Sequence, residues 1–256
     1  MRITLLGTGT STGVPMIGCE CPVCTSADPR DRRMRTSALI ETPNGNILID
    51  AGPDMRTQLL AAQVYSLHGV LLTHEHQDHI GGLDDLRPLN YRMQAAIPLY
   101  GLERTLNAIK HRFHYAFGND SGGSSRPNLN LVAIEPFKAI RVAGLHIIPL
   151  PVQHGRMSIV GYRIGDFGYI TDASTLSEAT CEALYGVKTL VINALRHDPH
   201  PMHLSFDQAL DYVNQIAPQR AFFVHLSHDI THAALAPTLP AHVRPGYDGL
   251  QFEVDA

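Results

Sequence analysis

No stretch of this 256-residue chain stays apolar over the length a membrane span requires, and the run Ile3-Thr4-Leu5-Leu6 is too short for the hydrophobic core of a signal peptide. Both absences lead to the expectation of a cytoplasmic protein with no membrane partner. Charge of one sign is not in bulk excess either. Lys and Arg number 20 against 24 Asp and Glu, the formal net charge is −4, and no Lys/Arg block occurs, which argues against an extended nucleic-acid surface. Cysteine is scarce at four, and three of these fall in Cys19-Glu20-Cys21-Pro22-Val23-Cys24, a spacing too compact for ordinary disulfide pairing. What remains, 44% hydrophobic and 17% charged residues, is an ordinary globular composition with length enough for one large core or two small ones.

The Cys-x-Cys-x-x-Cys cluster suits thiolate coordination of a structural zinc, closed by a fourth ligand from elsewhere. His228, His232 and His242 are candidates by residue type. Cys181 lies in a helix-like apolar segment and reads as core.

The densest chemistry is Thr73-His74-Glu75-His76-Gln77-Asp78-His79, directly after the apolar Val70-Leu71-Leu72. In an extended segment His74 and His76 share one face and can hold one divalent ion, while Glu75 points the other way. If the chain then turns into a helix, Asp78 and His79 project together towards a second ion. Gly81-Gly82 permits close backbone approach. With 15 histidines some pairs arise by chance, but five ligand-type side chains in one strand-to-helix turn do not read as solvated decoration.

Along the chain, strand patterns at Ile3 to Leu6, Ala38 to Thr42, Ile47 to Asp50 and Gly69 to Leu72 give way to helix and loop, with helices expected over Met55 to Ala62 and Leu102 to Phe113. A polar stretch from Tyr115 to Pro127 suggests a substrate-facing insertion around 83–128. Strands then recur at Leu129 to Ile134, His146 to Val152, Ile159 to Ile164, Tyr169 to Thr171, Thr189 to Asn193, Ala221 to Val224 and Leu250 to Val254. Helices are expected at Leu176 to Leu184, Phe206 to Ile216 and Thr231 to Ala236. The expected fold is α/β: two packed sheets with helices outside, in a single domain over 1–256. Gly7-Thr8-Gly9-Thr10-Ser11-Thr12-Gly13 follows a strand but misplaces the last glycine of a dinucleotide fingerprint, and Pro15 interrupts the helix that should follow; a tight turn beside the active site is the better reading.

Further ligands should come from strand ends, and His154, Asp172 and His225 each follow an apolar strand. In order and approximate spacing, His74-x-His76-x-Asp78-His79, His154, Asp172 and His225 resemble the dinuclear site of the metallo-β-lactamase fold superfamily, and Leu48-Ile49-Asp50-Ala51-Gly52 looks like its upstream aspartate motif. The cysteine cluster after the Gly-Thr-Gly loop and the closing Gly246-Tyr247-Asp248-Gly249 are similar to the branch of phosphoribosyl 1,2-cyclic phosphate phosphodiesterase. The cysteine cluster is equally similar to that of pyrroloquinoline quinone biosynthesis protein B.

The resemblance implies a four-layered αββα sandwich of two mixed sheets with outer helices. It places His74, His76 and His154 on one metal, Asp78, His79 and His225 on the other, and Asp172 between them. His228 would complete the structural zinc site, and Asp50 would orient a metal-bound histidine. Two catalytic ions, Zn or Mn with Fe as a further option, roughly 3.5–4 Å apart, would generate a bridging hydroxide at neutral pH. His203 would serve beside Asp78 as the catalytic histidine, protonating the leaving alkoxide as imidazolium, with His197 and His200 as alternatives of the same chemistry. Arg87 follows the metal motif closely enough to face an anionic substrate, although an ion pair with Asp84 or Asp85 would also account for it. The expectation is a phosphodiesterase acting on a small phosphate diester, cyclic or nucleotide-like. A lactone or thioester hydrolase on the same dinuclear site is the first alternative, and a zinc-stabilised carrier without catalysis the second. A homodimer is what the resemblance suggests.

Overall fold

A computed structural model describes residues 1–118 and 125–255. The chain forms strands β1 (Arg2–Gly7), β2 (Ser37–Thr42), β3 (Gly45–Ile49), β4 (Gly69–Leu71), β5 (Ile97–Gly101) and β6 (Leu129–Ala133). There follow β7 (Ile140–Val142), β8 (Leu145–His154), β9 (Met157–Ile164), β10 (Phe167–Ile170), β11 (Thr175–Leu176), β12 (Thr189–Asn193), β13 (Arg220–Val224), β14 (Val243–Pro245) and β15 (Gln251–Glu253). The helices are α1 (Met55–Ala61), α2 (Gln77–Ile80), α3 (Arg87–Met93), α4 (Glu103–Arg112), α5 (His114–Phe117), α6 (Glu178–Leu184), α7 (Phe206–Ile216) and α8 (His232–Leu235).

One sheet is ordered β15-β1-β2-β3-β4-β5-β6, the other β11-β8-β9-β10-β12-β13-β14, with β7 paired to β8. Both are mixed: β3 to β6 run parallel, as do β10, β12, β13 and β14, while β1–β2 and β8–β9 are antiparallel. The strand alternation sorts side chains into layers. Ile47, Ile49 and Leu71 face Val160, Tyr162 and Val191 of the second sheet, whereas Leu48, Val70 and Leu72 pack outward with Leu59, Leu106 and Ile109 of α1 and α4. The outer face of the second sheet is covered by α6 and α7 through Cys181, Leu184, Ala209 and Val213. The result is the αββα sandwich. Helix α7 begins at a capping box, Ser205 with Gln208, and buries Phe206, Ala209, Val213 and Ile216 at helical spacing.

Since β1 and β3 both run antiparallel to β2, and β8 and β10 both run antiparallel to β9, one rim collects the C-terminal ends of β1, β3 and β4 and of β8, β10 and β13. The two sheets are tied there: Tyr162 Oη donates to Leu72 O at 2.6 Å, and Val160 N–H to Thr73 O.

Four strands, β5, β7, β11 and β14, and two helices, α3 and α5, had no expectation. β5 carries Pro98, which weakens a strand reading, and β7 and β14 are three residues each, below the length at which alternation is readable. The stretch 83–128, expected to be an insertion, supplies β5 between β4 and β6 and buries Leu83, Leu86, Leu106 and Ile109, so that part of it is scaffold. Of the polar loop, 119–124 lie outside the described residues. Among the described residues no helix is long and apolar enough to cross a membrane.

Candidate metal centre

Three strand ends turn sharply at the rim. Asp50 after β3, Asp172 after β10 and His225 after β13 have φ of 60°, 57° and 58°, left-handed conformations that L residues other than Asn and Asp seldom adopt. Such strain is kept where surrounding structure fixes it, and it swings each side chain into the space between the sheets. The loop after β4 is held by glycines: a Cβ on Gly52 would lie 2.0 Å from Asp78 O, and one on Gly82 would lie 2.2 Å from Gly52 O. Ala51 N–H donates to His79 O at 2.7 Å, so the aspartate motif and the histidine motif are laced backbone to backbone.

The side chains gather as the resemblance implied. His74, His76 and His154 form one group and Asp78, His79, Asp172 and His225 another, the ligand atoms of each lying within 4.8 Å of one another; Asp172 also groups with His154 and His203. His76 is the exposed member, while His74, His79 and His225 are fully buried. Asp172 Oδ1 is 3.3 Å from His79 Nε2 and 3.4 Å from His225 Nδ1, and Asp78 Oδ2 is 3.1 Å from His79 Nε2.

Hydrogen bonds settle the tautomers. His154 Nδ1–H donates to Met202 O at 2.9 Å, and His79 Nδ1–H to Asp50 Oδ2 at 2.7 Å. Thr73 Oγ1–H donates to Asp50 Oδ2, so towards His74 Nδ1, 3.0 Å away, that oxygen can only accept. In all three rings Nδ1 carries the proton and Nε2 is left for the centre. Nε2 of His74 and of His79 are buried with no hydrogen-bond partner. Such atoms are costly unless something else binds them, and a cation does.

The electrostatics agree. Burial pushes the pKa of His74 well below its usual value, with His79 adding to the effect, and burial likewise lowers His76 and His225, keeping these rings neutral. Burial works against ionised Asp172, but His225 and His79 outweigh it and hold the carboxyl well below the usual range; His79 does the same for Asp78. Burial also opposes a charged His79, yet Asp172, Asp78 and Asp50 together raise it well above the ordinary imidazole range. Ionised carboxylates and neutral imidazoles are the protonation states of metal ligands; the raised His79 is the exception, holding between Asp78 and Asp172 a proton that a bound cation would displace from Nε2, and the donor set fits divalent cations of the Zn, Mn or Fe type.

The cysteine cluster closes on His228, whose Nδ1 lies 3.3, 3.4 and 3.6 Å from the sulfurs of Cys19, Cys21 and Cys24. A tetrahedron with a metal–sulfur bond of ~2.3 Å and a metal–nitrogen bond of ~2.0 Å has a sulfur–nitrogen edge of about 3.5 Å, so the four donors fit zinc. Cys24 N–H, donating at 3.4 Å, holds the Cys21 thiol down to about 6. His232 and His242, the other candidates by type, are not in the cluster.

Around the centre, the expectations divide. His203 stands with its Nδ1 3.8 Å from Asp172 Oδ2 and its ring 4.8 Å from that of His225 and 5.0 Å from that of His154. Burial and then His225 push its pKa down to about 3. It is therefore a neutral imidazole, not the imidazolium expected, and bound cations would only reinforce this. His200 stacks on His203 and lines a cleft of about 720 Å³ with His76, His154 and Arg156. His197 instead packs edge-on against Phe206, away from the cluster. Arg87 takes the ion-pair reading and not the substrate-facing one: its guanidinium is taken up by Asp84 at 2.6 Å, with Ser125 beside it, and it does not line the cleft. Glu75 pairs with Arg104 at 2.5 Å. The cation at the cleft is Arg156, exposed and without an ion pair among the described residues. Sequence reasoning passed over it, although it stands two residues after His154.

Against known proteins, the model of the Beta-lactamase superfamily domain matches residues 45–226. The chain is 43% identical over 258 residues to an octanoyltransferase of Porphyromonas gingivalis, covering 100% of this chain and 52% of the relative. It thus spans about half the length of that curated relative. A crystal structure described as a new diphosphatase from the PhnP family superposes with a TM-score of 0.92 at 39% identity, covering 98% of this chain and 97% of that one. Zinc-bound PqqB from Methylobacterium extorquens shares the fold, with a TM-score of 0.79 at 20% identity over 99% of this chain and 100% of that one.

Proposed function

The chain belongs to the Beta-lactamase superfamily, on its PhnP-family branch, and from that premise we propose that it hydrolyses a small phosphate ester or diphosphate. Proteins of this family are usually hydrolases, which supports the reaction class; the choice of phosphorus rests on the cleft. The observation that carries it is the pairing of an unpaired guanidinium, Arg156, with His200 and His203 at the open side of a carboxylate-imidazole cluster. This is a mouth built for an anion.

His74, His76 and His154 would hold one divalent ion, and Asp78, His79 and His225 a second, with Asp172 shared. Such ions, when bound, supply charge neutralisation at the phosphoryl oxygens and a water activated at neutral pH. The chain's own groups do the rest. Asp50 and Thr73 fix the imidazole tautomers. Arg156 and His200 orient the anion, and the neutral His203 ring donates a hydrogen bond to the oxygen on which charge builds as the bond to phosphorus breaks.

The half-length match to an octanoyltransferase supports a second reading, hydrolysis of an acyl ester or thioester at the same cluster. The test is a panel of an alkyl phosphodiester, a ribose cyclic phosphate, a dinucleoside diphosphate and an octanoyl thioester. Turnover of a phosphorus substrate that falls steeply in Arg156→Ala supports the proposal; turnover of the thioester alone overturns it.

A further inference from the structure

Both sheets end on short strands at one side of the sandwich, β14 on the second and β15 on the first. Between them lies a cleft of about 1000 Å³, larger than the one at the metal centre. It borders Arg220 at the start of β13, whereas His225 follows the end of that strand. Five residues of extended chain, about 16 Å, separate the two.

The lining is cationic and aromatic. Arg30, Arg220, Arg244, His232 and His242 contribute to it, and no Asp or Glu does. Two of these cations are already engaged: Arg30 pairs with Asp28 at 2.7 Å, and Arg220 lies over the Phe252 ring while donating to Thr189. Arg244 and His242 are exposed and have no side-chain partner among the described residues. His232 is 6% exposed, its main-chain N–H fixed by Asp31 at 2.6 Å and its ring set edge-on to Tyr247. Its Nδ1 is buried with no partner. A buried N–H without an acceptor is rarer than a bare lone pair, so the proton belongs on Nε2. A preset donor therefore sits in a wall that also carries guanidinium, aromatic and aliphatic groups.

We propose that this cleft is a second ligand site, separate from the metal centre, which binds an organic phosphate: the phosphate between His232, His242 and Arg244, and the body of the ligand against Tyr247, Leu239 and Pro245. The volume is that of small-molecule sites, and the pairing of a few fixed donors with an apolar wall is their usual construction. Edge-strand arginines also discourage sheet-to-sheet pairing, but that task requires neither a concavity nor a buried histidine turned to it.

The test uses zinc-loaded protein and adenosine 5′-monophosphate as probe, with imidazole proton–nitrogen spectra as readout. The His232 and His242 signals should shift saturably, while those of His197 stay in place. Arg244→Ala, an exposed change at an edge strand, should weaken this binding about 10-fold, the loss of one charge-assisted hydrogen bond, and leave diester hydrolysis unchanged. Absence of saturable shifts at His232 up to about 10 mM probe, or equal affinity in Arg244→Ala, would overturn the site and leave the arginines as guards of the sheet edge.

Discussion

Asp50 is fully buried, and two of the inferred metal-facing lone pairs depend on it: its carboxylate receives His79 Nδ1–H directly and that of His74 through Thr73. Asp50→Asn keeps the shape and loses the charge, so metal affinity should drop about 10–100-fold in competition with a chelator while the fold persists. The three nearby histidines separate by position. His203→Ala should lower turnover about 10²–10⁴-fold with metal content unchanged, whereas His197→Ala, removing a ring that packs on Phe206, should cost stability and spare turnover. Asp248 supplies a pH signature outside the centre. Burial pushes its carboxyl up to about 7 even though Met34 N–H and Thr8 Oγ1–H donate to it. A carboxyl with a raised folded-state pKa stabilises the fold when protonated. Its contribution is therefore full below the unfolded value near ~3.9 and is lost as pH rises through about 7. Melting temperatures from pH 5 to 8 should fall more steeply in the wild type than in Asp248→Asn; parallel curves would contradict this.

The elements around the centre are held by close backbone approach and by one buried ion pair. Gly52→Ala drives a Cβ to 2.0 Å from the Asp78 carbonyl, so backbone has to move, and the cost should exceed the about 1–3 kcal/mol of ordinary overpacking, with metal content lost alongside. Arg33, 1% exposed, joins Asp31 at 3.1 Å and donates to Ser227 O and Ile230 O, fastening the cysteine loop to the segment that carries His228. Arg33→Ala strands Asp31 without its partner and should destabilise by about 3–5 kcal/mol by chemical denaturation. Most of this architecture is readable in the chain, because ligands cluster in sequence at 74–79 and long apolar strands announce themselves. The aspartate and histidine after β10 and β13 could be placed by that rule as well. Arg156 could not: a lone arginine has no periodicity, and its freedom emerges only when Arg87 and Arg104 are seen to be paired with Asp84 and Glu75. The edge strands β7 and β14 were invisible for want of length, and the state of His203 for want of knowing how deeply it is buried.

In the molecule as a whole, the αββα sandwich brings the C-terminal ends of strands from two sheets to one rim, so that residues from six separate segments converge without any single loop having to hold them. Three cation sites are proposed, one closed by cysteines and two at the His/Asp cluster, of whose ligands His76 and His154 line the cleft. The most direct test strips the protein with a chelator and returns Mn or Zn stepwise, following both metal bound per chain and the rate of bis(p-nitrophenyl) phosphate cleavage, with Asp78→Ala alongside. Activity should be absent from stripped protein, rise only as two ions beyond the cysteine-bound one are taken up, and stay absent in the variant. Cleavage that survives stripping, or fully loaded protein that leaves every phosphoester intact, would contradict the account.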